Sequence, residues 1–236
     1  MKIHDPSAAL ICPESAIYES LLPLDGAHIL ELGCGKAEHT LAIAQGGKVA
    51  SITALEVDET QHALNLQITD LPNVTFLPGG AESIPAADGR FDIVMMFKSL
   101  HHVPMDMMDQ ALSEIWRVLK PGGLGYISEP VYAGEFNDIL RLFHDEKTVR
   151  EAAFAAVARA VANGLFALAA EKFFAAPSHF DSFEQFEQRV LKVTHTQHRL
   201  SPELYQQVRD KFMRHETEKG ADFFLPIRVD LLRKRS

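Results

Sequence analysis

The chain has 236 residues, 47% of them hydrophobic, enough to bury one substantial core in one domain or at most two. Its formal net charge of −9 opposes general attraction to a phosphate backbone, which depends on lysine and arginine, so a nucleic-acid partner is not expected. An N-terminus without the apolar core of a secretory signal, the lack of any uninterrupted apolar stretch of about 18 residues, and two cysteines, Cys12 and Cys34, without metal-ligand spacing lead us to expect a cytoplasmic protein with no membrane partner, disulfide framework or zinc site.

In chain order, an apolar strand from Ile29 meets Glu31 and enters the turn Gly33-Cys34-Gly35, which opens a helix over Thr40–Gln45. Lys48–Glu56 reads as a second strand ending in an acid, and the spacing from Glu31 to Glu56 fits one β-α-β unit. Val74–Pro78 reads as a short third strand. Phe91–Phe97 is a nearly continuous apolar run, the pattern of a central parallel strand covered on both faces. Ala111, Leu112, Ile115, Val118 and Leu119 recur at helical spacing, and the turn Lys120–Gly123 leads into another strand, Gly125–Ser128. Such alternation predicts a doubly wound α/β fold, with a mostly parallel sheet, right-handed crossovers and ligands beyond the carboxyl ends of the strands. Glu31, Glu56, Ala81, Phe97 and Glu129 fall at those ends.

The second half reads as more helical. Phe136, Ile139, Leu140 and Phe143 form one apolar stripe, and Val149, Val157, Val161, Leu165 and Leu168 another, suited to core packing or to a lid over the site. Further helices are expected over Phe183–Val193 and over Pro202–Lys219, the latter with Ser201 as N-cap and Gly220 beyond its end. A last strand, Phe224–Leu232, completes the sheet. The basic group Arg228, Arg233, Lys234 and Arg235 reads as a solvated edge. We expect one domain over residues 1–236, with residues 1–25 and helices within 132–220 acting as a cap. Oligomeric state is not legible.

The glycine turn is the most specific signal. Gly33 and Gly35 lack the Cβ that keeps a ligand from the backbone, and the helix that follows turns its first amides toward that ligand. A dinucleotide site requires G-x-G-x-x-G, but the third position here is Glu38, whose carboxylate opposes a pyrophosphate. The pattern E-x-G-x-G-x-A suits a cofactor that carries a positive charge and no phosphate; a tight turn with no ligand is the alternative. At these residues the chain resembles the class I S-adenosylmethionine-dependent methyltransferases, with Ala37 in the place of the family's last glycine.

Further segments carry the same resemblance. Phe76–Pro85 is similar to the family's third cofactor segment, with Gly80 where aspartate usually stands. Phe91–Pro104 contains the family's Leu-His-His-Val-Pro loop, and Lys120–Pro130 its turn and fifth strand, so the likeness runs from Ile29 to Pro130. It implies a Rossmann-like, mostly parallel seven-stranded sheet with a helical cap, and S-adenosyl-L-methionine as cofactor. It implies that Glu31, Gly33, Cys34 and Gly35 form the cofactor loop, and that Glu56, or Asp58 in another register, accepts the ribose hydroxyls beside Val57, which lies against adenine. With no aspartate at Gly80, the backbone of Ala81 and Glu82 have to recognise adenine. Phe97 and Lys98 border the cofactor; Lys98 approaches the methionine carboxylate or the acceptor, or is a plain surface lysine.

His101 is the candidate general base. A metal is not expected at His101 and His102, since adjacent histidines diverge and no third ligand stands nearby in sequence. Glu129 is placed to orient the acceptor or remove its proton, or else is a buried structural acid. Tyr18, Tyr132 and His144 are cap residues that reach toward a substrate. The function implied is in-line methyl transfer to a small-molecule acceptor. Two alternatives remain: a relative that binds the cofactor without turnover, and a nicotinamide-dependent oxidoreductase, which Glu31 and Glu38 disfavour.

Overall fold

The computed structural model describes residues 1–192 and 199–235. Strands β1 (His28–Leu32), β2 (Ser51–Glu56), β3 (Val74–Pro78), β4 (Phe91–Phe97) and β5 (Leu119–Pro130) pair in parallel, and β6 (Phe166–Phe180) and β8 (Gly220–Lys234) join them antiparallel. The order is β3-β2-β1-β4-β5-β8-β6, with β7 (Glu216–Thr217) pairing beside β8. Because β1 lies between β2 and β4, the crossovers leave it in opposite directions, and a crevice opens at its carboxyl end.

Alternation along the strands divides the core. Leu30 and Val94 face one layer, where Ala111, Leu112 and Ile115 of α4 (Met108–Val118) meet Ala153 and Val157 of α6 (Lys147–Ala162). Ile29 and Ile93 face the other, under Ile17 and Tyr18 of α1 (Glu14–Leu21) and Ile43 of α2 (Glu38–Gln45). Each fully buried Leu, Ile or Val among these contributes roughly 1.5–3 kcal/mol relative to leaving it exposed. The remaining helix on this half is α3 (Glu59–Asn65).

The carboxy-terminal half departs from the expected pattern. Phe166–Phe180 forms a long strand that pairs with β8 along its length, so Leu168 belongs to β6 and not to the stripe of α6. Its Ala-rich sequence has no period-2 signal; pairing with β8 overrides local preference. The expected helix Pro202–Lys219 ends at Met213 as α8 (Pro202–Met213), capped as foreseen by Ser201, because Glu216–Thr217 turn back to pair with Gly220–Ala221. Beyond α5 (Glu135–Leu140), the helix expected from Phe183 is α7 (Phe183–Phe186) followed by a π-turn over Glu187–Leu191; Val193, its expected end, lies outside the described residues. Phe180, Phe183, Phe186, Phe212 and Phe223 gather these pieces into an aromatic cluster with Ile139.

The amino-terminal segment is tied to the sheet: Cys12 donates to Ala175 O at 3.2 Å and Ala175 donates to Leu10 O at 2.8 Å. One further expectation changes: the basic C-terminal group is not a solvated edge throughout. Arg228 is 3% exposed, pairs with Asp230 at 2.8 Å and lies over the Phe154 ring, while the Lys234 ammonium donates to Leu119 O at 2.7 Å. Among the described residues, no helix is long and apolar enough to cross a membrane.

Candidate active site

The crevice at the end of β1 is built by its glycines. Gly33 has φ +69°, and a Cβ there would stand 2.8 Å from Ser99 Cβ; Gly35 has φ +52° and opens onto free space. Ala37, in the place of the family's glycine, keeps the left-handed conformation at φ 60° although it has a Cβ, a strain on the order of 1 kcal/mol. The loop is held from behind. Asn65 donates to Gly35 O at 2.8 Å, and the buried Glu56 carboxylate accepts from Gly35 N at 2.7 Å, Val57 N at 2.8 Å and Asp58 N at 2.9 Å. Asp58 is instead committed to α3, capping it through Thr60 N and Gln61 N.

Glu31 is 2% exposed and accepts the Thr40 hydroxyl. Burial pushes its carboxyl up to about 7 against that hydrogen bond, with the charges of Glu14 and Glu56 adding to the rise. Burial likewise pushes the Cys34 thiol up, beside Glu31 and Glu56, so it is not a nucleophile. Val57 stands 66% exposed next to Glu56, an apolar surface with nothing yet against it. At the end of β3 the Glu82 carboxylate folds back over Gly80: a Cβ on Gly80 would fall 2.3 Å from both its oxygens. Glu82 thus occupies the space an aspartate side chain at Gly80 would enter. Open space over Gly35, buried acids and an exposed apolar platform suit an adenosine whose tail carries positive charge, and these residues fit S-adenosylmethionine.

Phe97 ends β4 and divides this groove from the rest of the edge. Its ring stacks on His39 at 4.0 Å and meets Tyr18 edge-on at 5.9 Å. Burial, aided by the Lys98 charge, lowers His39 to about 4, so it is neutral. Lys98 has φ +53°, a strained conformation of the kind that clusters at functional sites. Its ammonium lies 3.7 Å from Glu14, whose carboxylate oxygens, with the Tyr126 and Ser128 hydroxyls, are buried without a well-formed hydrogen bond among the described residues. Burial pushes Glu14 up despite Lys98.

Beyond Lys98 lies a cleft of about 240 Å³, walled by the end of β5, α5, the start of α6, the π-turn and β8. A buried chain of alternating charge forms its floor. His101 Nδ1 donates to Glu129 at 2.5 Å, and its Nε2 faces Glu146 at 3.5 Å. Glu146 pairs with Arg150 at 2.6 Å, and Arg150 donates to Asn137 Oδ1 at 2.9 Å. Glu129 also accepts Leu100 N at 2.9 Å. Burial alone would lower His101, but the charge and hydrogen bond of Glu129, with Glu146, raise it to about 9. Burial likewise opposes ionisation of Glu146, yet His101 and Arg150 hold it well below the usual carboxylate range.

The imidazole is therefore protonated at neutral pH with both nitrogens facing carboxylates, which does not suit the general base expected of His101. It locks the loop after β4 onto the end of β5. Adjacent rings do not diverge as expected either. His101 and His102 lie 4.1 Å apart, and their ligand atoms and that of Glu146 fall within 4.8 Å of one another. The missing third group thus comes from a distant segment, already engaged by Arg150. His144 lines the cleft and contacts Glu146 at 3.0 Å. Tyr132 is turned toward Asp145, and Tyr18 packs against Phe97 on the groove side, so neither lines the cleft. Glu14, His39, Glu146, Arg150 and Arg189 escaped the sequence reading; only the i,i+4 spacing of Glu146 and Arg150 at a helix start was visible there.

Residues 29–123 match the family described as methyltransferase domain. An uncharacterized methyltransferase of Synechocystis is 33% identical over 106 residues, 45% of this chain and 48% of that protein. A demethylmenaquinone methyltransferase of Staphylococcus epidermidis is 36% identical over 101 residues, 42% of this chain and 41% of that protein. The chain thus spans less than half the length of these curated relatives. The crystal structure of the YcgJ protein from Bacillus subtilis shares the fold at a TM-score of 0.66 and 18% identity, covering 94% of this chain and 97% of that one. Residues 29–123 thus match a methyltransferase domain, and the chain as a whole shares the fold of that structure.

Proposed function

We propose that the protein transfers the methyl group of S-adenosylmethionine to a small molecule held in the cleft beyond Lys98. One observation carries this reading: an acid-lined glycine crevice and a separate walled cleft meet at Phe97 and Lys98. The small-molecule class is supported by the relatives named for demethylmenaquinone methylation.

The cofactor supplies an activated methyl on a sulfonium; in the transfer the methyl–sulfur bond breaks as the acceptor's bond to carbon forms, and S-adenosylhomocysteine leaves. The protein's task is placement and exclusion of water. Glu56 would receive the ribose hydroxyls, Val57 and Glu82 would border adenine, and Glu31 would offer negative charge to the ammonium-bearing tail. His101 and Glu129 act as positioning residues that fix the Lys98–His102 loop.

Calorimetric titration of the purified protein with S-adenosylmethionine and S-adenosylhomocysteine tests the cofactor, and methyl transfer across a metabolite panel tests turnover. Micromolar binding that weakens by about 30-fold in Glu56→Ala is the expected result. Failure of the intact protein to bind either compound overturns the reading, and binding without turnover of any acceptor leaves the non-catalytic relative in its place.

A further inference from the structure

The protein as a whole is acidic, at −9, yet the ionisable lining of the cleft comprises Lys98, Arg150, Arg189 and three histidines against a single acid, Glu146. Most of that charge is matched internally. Arg150 is held by Glu146 at 2.6 Å and His101 by Glu129 at 2.5 Å. Among the described residues Arg189 has no such match, and Lys98 only a looser one. Arg189 donates to the carbonyl of His179 at 3.1 Å and rests over the Phe180 ring, with no carboxylate partner among the described residues. Lys98 stands 3.7 Å from Glu14, too far for a hydrogen bond, across the border with the cofactor groove.

A ligand in this cleft also faces the donor's sulfonium. A cationic acceptor would meet three like charges, Lys98, Arg189 and the sulfonium, and like-charge juxtaposition disfavours it even though both side chains are partly open to solvent. A neutral one would leave Arg189 without a carboxylate partner among the described residues and Lys98 with only the long contact to Glu14. The remaining walls, Phe136, Leu140, Val190 and Leu225, are apolar and set the shape of the rest of the ligand.

We propose that the cleft takes an organic anion, a carboxylate or ionised phenol on an apolar ring-sized body, with Lys98 and Arg189 as its charge partners. This rests on the methyltransferase reading for the place of the acceptor, while the charge preference rests on the cleft alone. An acceptor whose nucleophilic oxygen is already ionised needs no base, in keeping with the locked state of His101.

Three probes of one shape and different charge test it: benzoate, benzamide and benzylamine, titrated by ligand-observed NMR into the full chain, with and without S-adenosylhomocysteine. Benzoate is expected to bind at least about tenfold more tightly than benzamide, with benzylamine weakest. Arg189→Gln should reduce that preference several-fold with unfolding temperature unchanged, and Lys98→Gln, which also takes the nearby cation from the buried Glu14, should reduce it as well. Equal binding of the three probes, binding of none, or a preference that survives both variants overturns the proposal. Failure of S-adenosylhomocysteine to bind, with the benzoate preference intact, overturns the methyltransferase reading and leaves the charge preference standing.

Discussion

At the ends of β1 and β2 the buried ionisable groups are the acids Glu31 and Glu56, with Glu14 close by; at the ends of β4 and β5 they alternate as Glu129, His101, Glu146 and Arg150. Among the described residues Glu31 and Glu56 have no cation partner and are held by backbone amides and a threonine hydroxyl, while Glu14 has only Lys98, at 3.7 Å. The second set neutralises itself. Burying acids without counter-charge costs free energy that a proton or a cationic ligand returns, whereas a self-neutral chain needs neither and serves as a brace. The contrast separates a part of the edge prepared for binding from a part prepared for rigidity.

The brace is the place to break this contrast hardest. Arg150→Ala takes from the buried Glu146 its tightest charge partner, leaving His101 at 3.5 Å and His144 at 3.0 Å, and should cost up to about 3–5 kcal/mol in denaturant unfolding. A loss below about 1 kcal/mol would mean that solvent reaches the chain and that it braces nothing. Titration comes next. His101 has a folded value of about 9 against about 6.5 unfolded, so its contribution is complete below about pH 6.5 and is lost as pH rises through 9. Thermal unfolding should show stability falling over that window by on the order of 3 kcal/mol, with Glu129→Gln flattening the slope. A wild-type profile that is flat there contradicts the charged imidazole.

On the binding side, Glu56→Ala should weaken S-adenosylhomocysteine by about 30-fold in calorimetry, roughly one or two charge-assisted hydrogen bonds. Unchanged affinity would take the ribose away from Glu56. Glu31 gives a smaller, pH-dependent effect. Its free-state value is about 7, and a cationic ligand favours the ionised form, so S-adenosylmethionine affinity should climb as pH rises toward 7 and level off above it. Glu31→Gln should remove that climb, about tenfold per pH unit at most. The smallest effect calibrates the rest. Arg159 pairs with Asp109 at 2.8 Å with both side chains more than half exposed, and Arg159→Ala should change stability by less than about 1 kcal/mol. A loss as large as that of Arg150→Ala would show that burial is not what sets the two arginines apart.

The binding half was far more legible than the bracing half. The bounds of β3 and β4 follow from the sequence because buried parallel strands are nearly continuous apolar runs, and the glycine turn is visible because left-handed backbone and close approach demand it. The strand Phe166–Phe180 was not visible, since alanines and glutamate favour helix locally and only pairing with β8 decides otherwise. Glu129 and His101 were each singled out, but their mutual bond spans 28 residues and reverses the role expected of the histidine. Arg189 acquires meaning only from the π-turn that carries it to the cleft.

The tie between Leu10–Cys12 and Ala175 has a consequence for the molecule in solution. β6 is the last strand in the order, and its outer edge would present unsatisfied amides and carbonyls along a long, Ala-rich face, a template for other chains. The amino-terminal segment takes up the middle of that edge, and Pro177 removes a further donor nearby. The stretch that leads into α1, and so holds Glu14 over the site, also acts as a guard against edge-to-edge aggregation.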